Sequence, residues 1–348
     1  MHVSDKNFNN IKIHTQYSIC EGAVKIDELA EYCKSNKIKS IGLADSYNLC
    51  GALEFAEKLS KIGTQPLIGT QINLKSQNLI GKITLYATSE VGYKNLTKLS
   101  SLSYLKNKEL NEPLCDLDDI ISDNKDLILL TGNYHNFFGK LFYSNKIKDF
   151  EKIIKSLKVH FNDRIYFEIQ RHGEIEEKNF ENFLFNSSKS LEIPLIATNE
   201  VFYLNNEMHE AHDALTCIGE KNFVDDKSRF RYSDQHYIKK NDELLKLYSD
   251  IPEALENNYN FHLRFNFKPK KSKPILPSIA NAQSNSPEEE LTKQAKEGLE
   301  NRLNNFILKK NSKKNIKKIK NIYDDRLSHE INIINSMDYA SYFLIVSD

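Results

Sequence analysis

Short β-branched runs alternate with amphipathic stretches through the first 200 residues, and this alternation restricts the chain to a layered or barrel-shaped α/β fold. Ile11–Ile13, Ile41–Asp45, Leu67–Leu74, Ile83–Ala87, Leu127–Thr131, Ile165–Ile169 and Leu195–Thr198 have the length and composition of strands. Between them, Ile26/Leu29/Ala30/Cys33, Ala52/Phe55/Ala56/Leu59, Phe150/Ile153/Ile154/Leu157 and Phe180/Phe183/Leu184 each gather on one helical face. Strand followed by helix, repeated, predicts an irregular seven-stranded (β/α) barrel with its helices outside. Lys75–Lys82 is too short for a crossover helix, so the strands on either side of it are expected to form an antiparallel hairpin.

The pattern changes after residue 200. Met208/Ala211/Leu215/Ile218 marks a helix, and Ile251-Pro252-Glu253-Ala254-Leu255 marks a helix start with proline at the first position. Four prolines and no helical period make 268–287 a linker between a barrel domain with its trailing helices (1–267) and a mostly helical extension (288–348). Glu288–Phe306 and Tyr323–Met337 read as helices flanking a basic segment, Lys309–Lys320. The closing YFLIVSD is an apolar run without a stop signal, from which a cut within a larger protein is expected.

Composition excludes several classes. With 40% apolar and 28% charged residues the chain is not disordered as a whole. It has no apolar run of the roughly 18 residues a membrane helix needs, and MHVSDKNFNN lacks a secretory core, so a cytoplasmic protein without membrane attachment is expected. Lys+Arg and Asp+Glu both number 48, so any nucleic-acid surface has to be local; Lys309–Lys320, near Arg302 and Arg326, fits a phosphate contact or a solvated helix edge equally well. The five cysteines are scattered and never paired as C-x-x-C, which predicts free thiols and no zinc finger.

In such barrels the chemistry sits at the carboxyl ends of the strands. Those ends carry Lys12 and His14, Asp45 and Ser46, Gln71, Arg171 and His172, and Asn199 and Glu200. His14, Glu21, Asp45, His172 and Glu200 are enough donors for one metal ion and too few for a cluster of three, with His14, Asp45, His172 and Glu200 the best candidates. Asp116-Leu117-Asp118-Asp119 reads as an acidic helix start rather than a catalytic pair.

The run from Lys12 (KIHTQYSICEG) to Leu74 (PLIGTQINL) resembles the amino-terminal polymerase-and-histidinol-phosphatase (PHP) domain of bacterial DNA polymerase III alpha subunits. So do YFEIQRHG, IPLIATNEVFYLNNEMHEAHDALTCIG and YIKKNDELLKLYSDIPEALENN, in the family's order, while RLSHEINIINSMDYASYFLIVSD resembles the entry to the polymerase region. The resemblance implies a PHP, TIM-barrel-like fold and, in complete members, a trinuclear metal site that hydrolyses phosphodiesters. This chain departs from the pattern. The family's His-x-His is Lys12-Ile13-His14, its Asp-His-Gly is Asp45-Ser46-Tyr47, and the closing Asp-x-His is Glu200-Val201-Phe202. An Asp before glycine is Glu21, a strand-three Glu is Gln71, and the imidazole of His172 persists. Lys12 is thus expected to neutralise Glu21, Asp45 or Glu200 in place of metal.

The resemblance therefore implies the amino-terminal portion of a replicative, DNA-directed DNA polymerase (a nucleotidyltransferase). Its degenerate barrel would be a scaffold that docks a proofreading exonuclease beside other replisome subunits. No catalytic residue and no cofactor is expected in this stretch, since the Mg²⁺-binding palm that acts on DNA lies outside it. The alternative is a free-standing PHP metal-dependent phosphoesterase or 3′-5′ exonuclease.

Overall fold

The computed structural model describes residues 7–76, 78–106, 112–272, 286–307 and 316–347. The chain divides into two compact units, Met1–Lys271 and Ser272–Asp348.

In the first unit β1 (Lys12–Ile13), α1 (Ile26–Ser35), β2 (Ser40–Ser46), α2 (Ala52–Lys61), β3 (Gln65–Ser76), β4 (Leu79–Ala87) and α3 (Glu90–Leu105) follow one another. They continue into β5 (Cys115–Asp116), α4 (Leu117–Ser122), β6 (Leu127–Leu130), α5 (Phe137–Tyr143), α6 (Ile147–Phe161), β7 (Ile165–Ile169) and α7 (Ile175–Leu191). After β8 (Leu195–Ala197) and β9 (Glu200–Val201) come α8 (His209–Glu220), α9 (Asn241–Leu247) and α10 (Pro252–Phe261).

The sheet runs β8-β7-β6-β4-β3-β2-β1-β9, with the two-residue β5 paired to β3 outside this path. Pairing is parallel except β3–β4 and β4–β6, so the hairpin expected from the short third gap is present. All seven expected strands form. The sheet's two edges belong to one continuous stretch: β8 pairs β7 and, three residues on, β9 pairs β1. A kink at Thr198-Asn199 therefore closes an irregular barrel, with β8 and β9 as halves of one strand position. The expectation missed β5, which is too short to leave a periodic trace.

β2 is buried along its whole length, as a parallel strand covered on both faces must be. At Gly42 an added Cβ would lie 2.0 Å from the Ile11 carbonyl oxygen, so β1 approaches β2 closely only because a side chain is missing there. Ile41 and Leu43 face outward with Ile26, Leu29, Phe55 and Leu59 of the covering helices. Ala44, Leu67, Tyr86, Ile128, Tyr166 and Ile196 pack together with Phe261 and Phe265, an apolar layer that fills one end of the barrel interior. The other end is polar.

Asn258 on α10 secures the seam. Its Nδ2 donates to the carbonyls of Asn9 and Ala197, both at 2.9 Å, and its Oδ1 accepts from Asn9 N at 2.8 Å. In the second unit α11 (Pro287–Arg302) starts with Ser286 accepting from Glu289 N at 3.2 Å, proline in the first turn and three glutamates behind it. α12 (Ile316–Ser336) and α13 (Ala340–Ser347) follow. The basic segment is thus partly helical: 316–320 belong to α12, whereas 309–315, like 273–285 of the expected linker, lie outside the described residues. Among the described residues no helix is long and apolar enough to cross a membrane.

Truncating Asn258 to alanine strands three buried polar groups at the seam. We expect Asn258→Ala to lower unfolding stability by about 3 kcal/mol, measured by urea denaturation.

Candidate functional site

Along β7, side chains alternate: Phe167 and Ile169 enter the outer apolar core, while Tyr166, Glu168 and Gln170 share the interior face. Glu168 meets Lys12 of β1 there. The Lys12 ammonium lies 3.2 Å from both Glu168 carboxylate oxygens and 3.4 Å from Oε1 of Glu200. Lys12 and Glu168 are fully buried and the Glu200 side chain is 6% exposed. Such charges are tolerated only when they are paired and hydrogen-bonded. Glu168 also accepts from Gln170 Nε2 at 2.7 Å and Thr198 Oγ1 at 2.5 Å. Glu200 takes Gln71 Nε2 at 2.8 Å and meets His14 Nε2 at 3.0 Å. Burial pushes the Glu200 carboxyl upward, yet Lys12 and then His14 outweigh it and hold it well below the usual range.

Nearer the rim Glu21 pairs with Lys82 and accepts from Ser46, which lies 3.3 Å from Gln71 Oε1. Burial opposes ionisation of Glu21, but Lys82 and His14 bring its carboxyl below its ordinary value. Asp45 has neutral partners: Thr15 N at 2.6 Å, Thr15 Oγ1 at 2.8 Å and Ser18 Oγ at 2.7 Å. Burial raises it. Phe202 stacks on His14 with centroids 4.5 Å apart. His172 Nε2 accepts from Glu200 N at 3.3 Å, and its ring lies parallel to His236 at 3.9 Å. Burial, reinforced by Lys239, depresses His172 to about 3, and burial likewise keeps His236 well below its ordinary value.

Residues 10–172 match the model of the PHP domain, and 289–348 match that of the bacterial DNA polymerase III alpha NTPase domain. The chain thus carries a PHP-domain match followed by a DNA polymerase III alpha segment. It is 35% identical over 99% of its length to DNA polymerase III subunit alpha of Caulobacter vibrioides, covering 30% of that protein. For the same subunit of Rickettsia conorii the figures are 37%, 98% and 29%, and for Vibrio cholerae 31%, 99% and 30%. The chain spans about a third of the length of these curated relatives.

All nine motif positions of this PHP barrel (Lys12, His14, Glu21, Asp45, Ser46, Gln71, His172, Glu200 and Phe202) share one polar network at one end of the barrel. Within it the expected pairing of Lys12 narrows to one carboxylate. Of the three carboxylates named for it, only Glu200 is within reach; Glu21 goes to Lys82, and Asp45 is satisfied by a backbone amide and two hydroxyls. The principal partner, Glu168, was missed although its alternation with Phe167 and Ile169 marks it as facing inward. Lys82 and His236 left no comparable signal, since each arrives through a pairing or loop that only folding sets. Arg171 turns away to Glu181 and Asp250, at 2.7 Å each, and Asn199 accepts from Lys239 at 3.1 Å. Asp116 and Asp119 form the capping box of α4, as an acidic helix start requires.

The donor set of complete PHP sites does not fit here. An ammonium sits between Glu168 and Glu200, an aromatic ring covers His14, and Ser46 and Gln71 are neutral. Among the described residues, no group of three or more His, Cys, Asp or Glu side chains converges to hold an ion.

Replacing Lys12 with methionine leaves two buried carboxylates facing each other. Lys12→Met should cost about 3–5 kcal/mol at pH 7 by chemical denaturation, and Lys12→Met/Glu168→Gln should recover part of it. His172 and His236 are held neutral, so between pH 6.5 and about 3 the unfolded chain binds more protons. Stability should therefore fall as pH drops below 6.5, and His236→Gln should flatten that slope in melts recorded from pH 7 to 5.

Proposed function

We propose that this chain is the amino-terminal part of a replicative polymerase subunit. Its PHP barrel works as a metal-free scaffold, while template-directed DNA synthesis resides in residues beyond this stretch and uses Mg²⁺ held by a palm. The family match supports the polymerase assignment. One observation carries the scaffold reading: the buried Lys12 ammonium lies 3.2 Å from Glu168 and 3.4 Å from Glu200. A fixed cation at the centre supplies the charge that a hydrolytic PHP site takes from metal ions, and it cannot activate water. The barrel would then serve the replisome by surface alone, docking a proofreading exonuclease and neighbouring subunits in the cytoplasm. A free-standing phosphoesterase would instead need ions at His14, Asp45, His172 and Glu200.

Two measurements separate the readings. After chelation and reconstitution with zinc or manganese, elemental analysis should find less than one tightly held ion per chain; two or more would refute the scaffold. With Mn²⁺ and p-nitrophenyl phosphate or single-stranded DNA, hydrolysis should not exceed that of a His14→Ala/His172→Ala control. A Lys12→His/Ser46→His/Phe202→His variant, which restores imidazoles, is the comparison in which activity could return.

A further inference from the structure

Residues 265–271, which follow α10 after one short turn, run without helix or strand as a strap over α2 and α3, on the outside of the barrel. Their path is pinned. Asn266 N donates to the Thr88 carbonyl at 3.1 Å, the Phe267 ring lies 5.3 Å from that of Tyr93, and Pro269 is buried. Lys268 and Lys270, the residues between and after these anchors, are turned outward and exposed. A groove of about 750 Å³ borders the strap toward α3 and another of about 470 Å³ toward α2, and Lys268, Pro269 and Lys270 line both. Together the linings hold five lysines, Lys61, Lys94, Lys268, Lys270 and Lys271, against two carboxylates. Glu90 holds Lys94 at 2.9 Å and Glu57 holds Lys271 at 3.2 Å. Among the described residues no carboxylate comes within ion-pair distance of Lys61, Lys268 or Lys270, and all three are exposed. A chain of zero net charge thus gathers three unpaired cations at one place.

We propose that the strap contacts the phosphate backbone of double-stranded DNA, with Lys61, Lys268 and Lys270 facing phosphates. Lysine binds phosphate as a point charge and reads no sequence. The kind of partner follows from the apolar lining residues: Leu53, Ala56, Tyr93, Phe267 and Pro269 are all buried or half-buried. Protein interfaces centre on aromatic and apolar anchors and are depleted in lysine. Single strands are held by stacking on open rings, and here the rings of Tyr93 and Phe267 pack on each other. A duplex needs neither, because its backbone presents negative charge alone, at high density. Such a contact adds a ligand to the scaffold reading and holds whether or not the barrel interior binds metal.

The test uses the whole 348-residue chain in EDTA, so that its outcome is independent of any residual ion. The probe is a fluorescein-labelled DNA duplex of about 20 base pairs, titrated by anisotropy between about 50 and 200 mM salt. Lys61→Glu/Lys268→Glu/Lys270→Glu should weaken binding about tenfold or more at the lowest salt. It should also make the slope of log K against log salt shallower by about 2–3, at about 0.9 per phosphate contact. Lys61→Arg/Lys268→Arg/Lys270→Arg should retain both affinity and slope. Lys152→Glu/Lys178→Glu/Lys189→Glu makes the same change of charge at exposed lysines of α6 and α7 and should leave binding nearly unchanged, with melting curves confirming that every variant folds. Unchanged affinity in the first variant, equal weakening in the α6 and α7 variant, or tighter binding of a single strand of the same length would each overturn the proposal. So would displacement of the duplex by polyglutamate at equal charge, which would assign the strap to an acidic protein.

Discussion

The ion pair between Lys12 and Glu168, shared with Glu200, is the constraint on which the polar half of this barrel depends. Its members come from β1, β7 and β9, so the attraction spans the seam where the sheet closes on itself. Each charge is buried and would be prohibitive alone; together they are tolerated because Gln170 and Thr198 add hydrogen bonds to Oε1 of Glu168, and Gln71 and His14 meet Oε1 of Glu200.

Around that centre the network separates into charged and neutral parts. Glu21 has its own lysine, Asp45 rests on hydroxyls and an amide, and the stacked His172 and His236 are held neutral by burial. A multinuclear metal site needs the reverse, converging anions and imidazoles with open coordination positions. The residues fit one another: the Lys12 ammonium lies among the carboxylates, and Phe202 covers the imidazole of His14.

Much of this was legible beforehand, for identifiable reasons. Ile41–Asp45 and Leu127–Thr131 declared themselves as strands because strands buried on both faces read as short apolar runs. The length of Lys75–Lys82 settled the hairpin. The motif positions converge because strand ends in such a barrel have nowhere else to point. Glu168 was legible through its alternation, though overshadowed by the more conspicuous His172. Lys82 was not: its partner lies 61 residues away, and only the β3–β4 register brings it over Glu21. His236 comes from a loop without periodicity.

By itself the sequence determined the strand–helix order, the resemblance to PHP-bearing polymerase subunits and the inventory of charges, because periodicity and residue chemistry are local properties of the chain. Only the tertiary structure decided which charge meets which. With four carboxylates (Glu21, Asp45, Glu168 and Glu200) and the lysines Lys12 and Lys82 near one rim, pairing follows from which strands become neighbours and how far each side chain reaches, and neither is written in local order. Closure of the sheet, with β8 on β7 and β9 on β1, likewise joins segments far apart in sequence and existed only once the barrel had folded.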